Sequence, residues 1–216
     1  MASRNISQRI LLSVSLLALV LINLIPTPVK AEAGDTSTLP DLSSFITGIS
    51  NSNTEELRGI YVTGTMALTV VQQPGDNAGF VSTTEKTVTQ FGMVNQFGNI
   101  GLLAHNYLAG QNFFSLVPGQ MIYLVYGNGK VSTFVITQVL RYQAYEPYNP
   151  YSYFRNLDTG LEYSAEDVFR QVYMGDHHLT LQTCIAENGE SSWGRLFVIA
   201  VPFTQYYAGQ NSTMTN

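Results

Sequence analysis

Cysteine is almost missing from this sequence: there is one thiol, Cys184, in 216 residues. A lone cysteine forms no internal disulfide, so sulfur does not staple the fold. Charge is scarce as well. Charged side chains make up 12% of the chain, with 10 Lys and Arg against 15 Asp and Glu and a net charge of −5. The few basic residues are scattered, which excludes the electrostatic footprint of a nucleic-acid binder. No internal repeat occurs, and the acidic residues show no EF-hand spacing. Helical periodicity is rare beyond residue 57.

What is present begins with an export pattern. Arg4 and Arg9 give a basic start, and Ile10 to Ile25 is apolar apart from Ser13, Ser15 and Asn23. Pro26 and Pro28 follow, then the small residues around Ala31. That order reads as a secretory signal over residues 1–31. At about 1.5 Å per residue the apolar run covers roughly 24 Å, short of the roughly 30 Å hydrocarbon core. This length favours cleavage; a retained membrane anchor, with the apolar run stretched to Val29, is the alternative. Both place the folded part outside the cytoplasm.

Residues 32–56 are rich in Ser, Thr, Asn and Gly and read as a linker. Within it Leu42, Phe45, Ile46 and Ile49 fall at helical spacing behind Asp41 and Ser43 as caps, which predicts a short amphipathic helix. From Leu57 the pattern turns to β. Strands are expected at Ile60 to Gln72, Phe80 to Thr84, Thr87 to Phe91, Asn99 to Ala104, Met121 to Tyr126, Val131 to Val139, His178 to Cys184 and Arg195 to Phe203. Gly127-Asn128-Gly129 is a hairpin signal between two of them. Short strands with turn residues between them point to an all-β barrel or sandwich across residues 57–204, with a polar tail over 205–216. One long interruption, Tyr142 to Tyr173, starts as a tyrosine- and proline-crowded stretch. It ends in a helical turn or two, with Ser164 as N-cap and Asp167 three residues on. Such an insertion serves as a binding element or as an aromatic cover for one end of the fold.

An unpaired cysteine in an exported chain flags a reactive thiol, against the plainer reading of a small buried hydrophobe. In "HHLTLQTCIAENGESSWGRLFVIA", residues 177–200, Leu179, Leu181 and Thr183 alternate to one face and Thr180, Gln182 and Cys184 to the other. Cys184 therefore lies on the more polar side. If the next strand pairs antiparallel, the start of that strand, Arg195, lies about 5 Å from Cys184. A guanidinium there would support a thiolate or a developing oxyanion. His177 and His178 sit at the far end of the strand, roughly 20 Å from the sulfur at about 3.3 Å per residue, and read as surface or loop histidines. His105 ends the apolar strand "GNIGLLAH" just before a loop, the place where a working residue sits.

The segment "TLQTC" matches a Thr-Leu-x-Thr-Cys signature, "GRLFVIA" an Arg-led strand after it, and "GNIGLLAHNYLAGQNFFSLVPGQMIYLVY" a histidine segment with its Phe-Phe-x-Leu turn. In this order, across most of residues 60–203, the three resemble the sortase family of cysteine transpeptidases. The resemblance implies an eight-stranded β-barrel with short helices and a long loop between the sixth and seventh strands. It implies that Cys184 is the nucleophile, His105 the general acid–base and Arg195 the group that holds substrate backbone or oxyanion. Thr180 and Thr183 match supporting positions beside the groove. Implied substrates are surface proteins with a C-terminal Leu-Pro-x-Thr-Gly-like sorting signal, cleaved through a thioester and passed to an amine on a wall precursor, a pilin or another surface protein. Some sortases bind calcium near the long loop, and Asp158, Glu162, Glu166 and Asp167 lie nearby. A solvated acidic patch is the reading preferred here, with no metal or other cofactor expected.

The chain departs from many sortases at Asn106, where Arg or Thr follows the histidine, and the region before residue 95 matches poorly. Subclass and sorting motif therefore stay open. L,D-transpeptidases place histidine and glycine directly before the cysteine, unlike Gln182-Thr183 here, and papain-like proteases reverse the order of cysteine and histidine. The alternative from a different class is a catalytically idle sortase-like module that binds peptide or glycan at the cell surface.

Overall fold

The structure is a computed structural model describing residues 39–213 apart from Asp76 and Ala78. The expected export segment at 1–31, the start of the linker and the end of the tail lie outside the described residues.

The first described element is the amphipathic helix α1 (Leu42–Ile49). Asp41 caps it by accepting from Ser44 N at 2.9 Å, as the Asp-x-x spacing predicts. The strands follow as β1 (Leu57–Val62), β2 (Met66–Gln72), β3 (Thr87–Gln90), β4 (Ile100–Leu103), β5 (Met121–Tyr126), β6 (Val131–Ala144), β7 (Phe154–Asn156) and β8 (Glu162–Tyr163). Helix α2 (Ala165–Tyr173), strands β9 (Leu179–Glu187) and β10 (Glu190–Pro202), and helix α3 (Phe203–Thr213) complete the chain.

Lateral order in the sheet is β10-β9-β4-β3-β2-β1-β5-β6, and β6 pairs back onto β10. Eight strands therefore close into a barrel, the architecture expected. Closure satisfies every strand edge in the ring, leaving only the short ribbon β7–β8 to extend sideways from β6. The ribbon attaches where the far end of β6 has passed its pairing with β5: residues 131–135 pair β5, and residues 142–144 pair β7.

Alternation along the strands fills the barrel. Ile60, Leu102, Ile122, Leu124, Ile136, Leu181, Leu196 and Val198 are fully buried inside it. Each such side chain contributes about 1.5–3 kcal/mol on leaving water. A second apolar layer lies on the outer face of β6, β9 and β10, where α2 packs Val168, Val172 and Tyr173 over Tyr142, Phe197 and Ile199. Ser164 and Asp167 form a reciprocal capping box at the start of α2, as their spacing predicts. Helix α1 covers a third patch around Tyr61 and Val125. It comes so close that any Cβ on Gly59 would strike Ile49 and meet the Phe45 ring at 2.8 Å.

Several expectations need correction. Ile60 to Gln72 is not one strand but the hairpin β1–β2, because Gly64 takes a φ of +70° and turns the chain. Phe80 to Thr84 forms no strand. The tail after residue 204 is not a polar coil; it continues as α3 to Thr213. The two strands expected to end at Cys184 and to start at Arg195 are both longer, since β9 and β10 run on to a tight turn at Asn188-Gly189, both at positive φ. An irregularity between Glu190 and Gly194 absorbs the extra residues.

Candidate active site

Cys184 and Arg195 are directly opposed residues of the antiparallel pair β9–β10. On the other side of β9 runs β4, parallel to it, with Leu103 level with Gln182. Ala104 N extends that ladder by donating to Gln182 O at 3.1 Å. Strand β4 ends at Leu103, and His105 follows two residues on, where the chain leaves the end of that ladder beside the Cys184 end of β9. Cysteine and arginine thus occupy one rung of β9–β10, and histidine follows the end of the neighbouring strand β4.

Leu181, Leu196, Leu102 and Ala104 point into the barrel, so the alternating strand positions Gln182, Cys184, Arg195 and Leu103 point outward. His105, Cys184 and Arg195 are each half-buried, which leaves the sulfur reachable from the outer surface. The division of β9 into an inward face with Thr183 and an outward face with Cys184 is the one its alternation predicts.

His105 is fixed by backbone rather than by packing. Just before it, the Thr183 hydroxyl donates to Ala104 O at 2.8 Å. Just after it, the chain folds back so that Leu108 N and Gly110 N both donate to His105 O at 3.0 Å. The fold-back requires glycine, because a Cβ at 110 would collide with Thr183 Oγ1 and lie 2.7 Å from His105 O. Asn106 Nδ2 then donates to Ser191 O at 2.9 Å, tying the turn to the β9–β10 hairpin. The ring of His105 stacks on Tyr107 at 5.1 Å and 21°.

Arg195 reaches across to the tyrosine-rich segment. Its Nη1 donates to Ser192 O at 2.8 Å and Gly194 O at 2.9 Å, and its Nη2 to Pro147 O at 3.0 Å. One residue on, the Tyr148 hydroxyl donates to Glu190 Oε1 at 2.7 Å. That bond, ahead of burial, raises the Tyr148 phenol above its ordinary range, with the charge of nearby Cys184 a smaller contribution. The same bond, followed by one from Ser192 N, holds the Glu190 carboxyl below its usual range. The loop between β6 and β7 is therefore pinned beside the sulfur at two points. Under it lies a cavity of about 140 Å³ walled by Phe154, Val168, Phe169 and Phe197, with Gln182 and Arg195 at its edge.

Thr180 and Thr183, expected beside the groove, are closed off from solvent. Thr180 donates to Val172 O at 2.5 Å, which holds α2 on β9, and Thr183 clamps Ala104 as described. Both bond to backbone and neither faces a groove. His177 is exposed, with Nδ1 at 2.6 Å from Gly98 O. His178 corrects the surface reading: it is 7% exposed, with its ring nitrogens at 2.7 Å from Asp176 O and 2.9 Å from Val172 O.

Among the described residues no group of three His, Cys, Asp or Glu side chains could hold a metal ion. Three of the carboxylates considered for calcium have other partners. Glu162 accepts from the Tyr145 hydroxyl, Glu166 pairs with Arg170, and Asp167 caps α2.

No family model matches the sequence, and no curated protein matches it. The structure is similar to solved sortases. One is sortase A of Listeria monocytogenes, 14% identical, with 68% of this chain and 86% of that one covered at a TM-score of 0.43. Another is a pilus-related sortase C of Group B Streptococcus, 14% identical, covering 72% and 70% at 0.43. A third is the sortase D5 transpeptidase of Clostridium perfringens, 13% identical, covering 75% and 86% at 0.43.

Sequence reasoning noted Asn106 only as a departure from the family and took Tyr148 only as part of the tyrosine-rich insertion; it missed Tyr107 and Glu190. The Tyr148–Glu190 pairing spans 42 residues and carried no local signal.

Proposed function

We propose that the chain is a sortase-like cysteine transpeptidase working outside the cytoplasm. The observation that carries this reading is Arg195 directly opposite Cys184 on β9–β10, with His105 just past the end of the neighbouring strand β4. The motifs "TLQTC" and "GRLFVIA" support it.

In this reading the thiolate of Cys184 attacks the carbonyl of a sorting-signal peptide whose upstream side chains lie under the tyrosine-rich loop. The apolar walls of the 140 Å³ cavity suit an aliphatic side chain of that peptide. Arg195 faces the developing oxyanion from the opposed strand. His105 gives a proton to the departing amine, so the C–N bond breaks and a thioester remains on sulfur. An amine then attacks the thioester, its proton passes through His105 to the sulfur, and the thiol is restored. Two easier steps replace one difficult exchange. The partners are surface proteins with a C-terminal Leu-Pro-x-Thr-Gly-like signal and an amine acceptor on a wall precursor, a pilin or another surface protein.

Incubation with a library of sorting-signal peptides and mass spectrometry of the intact chain tests this. An acyl adduct on Cys184 that disappears on adding an amine is expected, and none in Cys184→Ala. Cleavage retained by Cys184→Ala would overturn the reading.

One observation favours a second reading, a catalytically idle module. Three N–H bonds of Arg195 already go to the backbone carbonyls of Ser192, Gly194 and Pro147. Alkylation by a substrate-like electrophile separates the two readings: an idle module would label no faster than free cysteine.

A further inference from the structure

A second cavity lies beside the turn that follows His105. It measures about 270 Å³ and is lined by Leu68, Glu85, Lys86, Tyr107, Gln111 and Asn112, with Leu108 and Ala109 behind them. We propose that this cavity is the acceptor site and that it takes a primary amine whose carrier also bears a carboxylate. The inference rests on the transpeptidase reading above and assigns its second substrate a place and a chemical class.

Strand register fixes the location. Strand β3 pairs antiparallel with β4, Thr89 opposite Leu103. Continued toward the rim, that register sets Thr87 level with His105. Glu85 and Lys86 directly precede it, so they stand one strand beyond the imidazole, on the side away from Cys184. Tyr107 joins the two places: its ring lines the cavity and stacks on His105. The backbone of both walls is held. Thr69 N donates to Lys86 O at 3.0 Å, and Gln111 Nε2 donates to Tyr107 O at 2.8 Å.

Reaction order makes a second site necessary. Once the acyl group sits on sulfur, the donor fills the Arg195 side under the tyrosine-rich loop. The acceptor must come from the other side and must pass His105, which takes its proton. At neutral pH a primary amine is an ammonium, and Glu85 is the carboxylate lining the cavity. Lys86 next to it repels a bare cation and attracts an anion. Together they match a group carrying both charges. Among the described residues neither forms an ion pair, so both charges stand open to a ligand.

The step balances simply. The ammonium loses one proton to solvent, and the neutral amine attacks the thioester carbonyl. The C–N bond forms as the C–S bond breaks, and the second proton passes through His105 to the leaving sulfur.

The test uses a sorting-signal peptide as donor with lysine, lysinamide or hydroxylamine as acceptor. Amide product, hydrolysis product and thioester formation are followed together in the native chain, Glu85→Gln and Lys86→Gln. In the native chain lysine is expected to have a several-fold lower KM than lysinamide. Lys86→Gln should erase that preference, and Glu85→Gln should raise both KM values by about tenfold, the scale of one good charge contact. Neutral hydroxylamine should respond much less. If thioester forms and both variants keep native acceptor KM values, the site is wrong. If the variants lose thioester formation and acceptor use equally, their role is structural and the inference also fails. If the native chain forms no thioester at all, the transpeptidase reading itself falls.

Discussion

Asn106 and Ser191, 85 positions apart in sequence, meet at 2.9 Å, and the bond joins the turn after His105 to the hairpin that carries Cys184 and Arg195. The β4–β9 ladder has ended by then, so this side chain holds the histidine turn at a fixed distance from the sulfur. Asn106→Ala should lower kcat for peptide cleavage by about tenfold to a hundredfold, the scale of a misplacement near 1 Å. KM for the donor and the melting temperature should move little, because the residue is outside the core. Steady-state kinetics beside thermal denaturation checks this.

Gly110 admits no side chain. Gly110→Ala puts a methyl group against Thr183 Oγ1 and His105 O. Overpacking of this kind costs about 1–3 kcal/mol, and here it also opens the clamp on Ala104. Denaturant unfolding should show a loss of that size, together with reduced activity. Gly48→Ala, where no atom lies within 4 Å, is the control and should be neutral or slightly stabilising.

The Tyr148–Glu190 bond should depend on pH at both ends. The folded chain lowers the Glu190 carboxyl, so this contribution exists above the ordinary carboxylate range of about 4.3 and is lost as pH falls through the lowered value. The folded chain raises the Tyr148 phenol, so the bond is complete below about pH 10 and is lost only as pH climbs past the raised value. Protection of residues 145–153 from hydrogen exchange, taken relative to the intrinsic rate at each pH, should be highest between those limits. Tyr148→Phe should lose that protection throughout. A flat profile in the native chain would remove the bond from any account of the loop.

Inside the barrel, Leu181→Ala should cost about 2–5 kcal/mol, since the side chain is fully buried among Leu102, Leu179 and Leu196. Equilibrium unfolding measures it directly.

Half of the candidate site's geometry was legible in the sequence because Cys184 and Arg195 lie on one hairpin. Alternation along Leu179 to Cys184 assigned the faces, and antiparallel pairing brought Arg195 opposite Cys184 without further information. His105 was different. The course of its segment beside β9 depends on β4 lying parallel to that strand, a pairing between segments 79 residues apart that no local pattern encodes. The hairpin at Gly64 escaped notice because Val62-Thr63 and Thr65-Met66 keep the β-rich composition across it. Helix α3 escaped because its aromatic residues, Phe203, Tyr206 and Tyr207, occupy only its start and polar residues follow. The opposite held for α2, where Ser164 and Asp167 announce the start by their own chemistry.

Strand β6 belongs to two structures at once. Its first part shuts the ring against β5, and its last three residues carry β7 and the tyrosine-rich excursion. Insertions or deletions between residues 145 and 153 would therefore hang from a strut already locked on both flanks. Selection could rewrite what the outer surface recognises while the eight-membered ring beneath kept its shape.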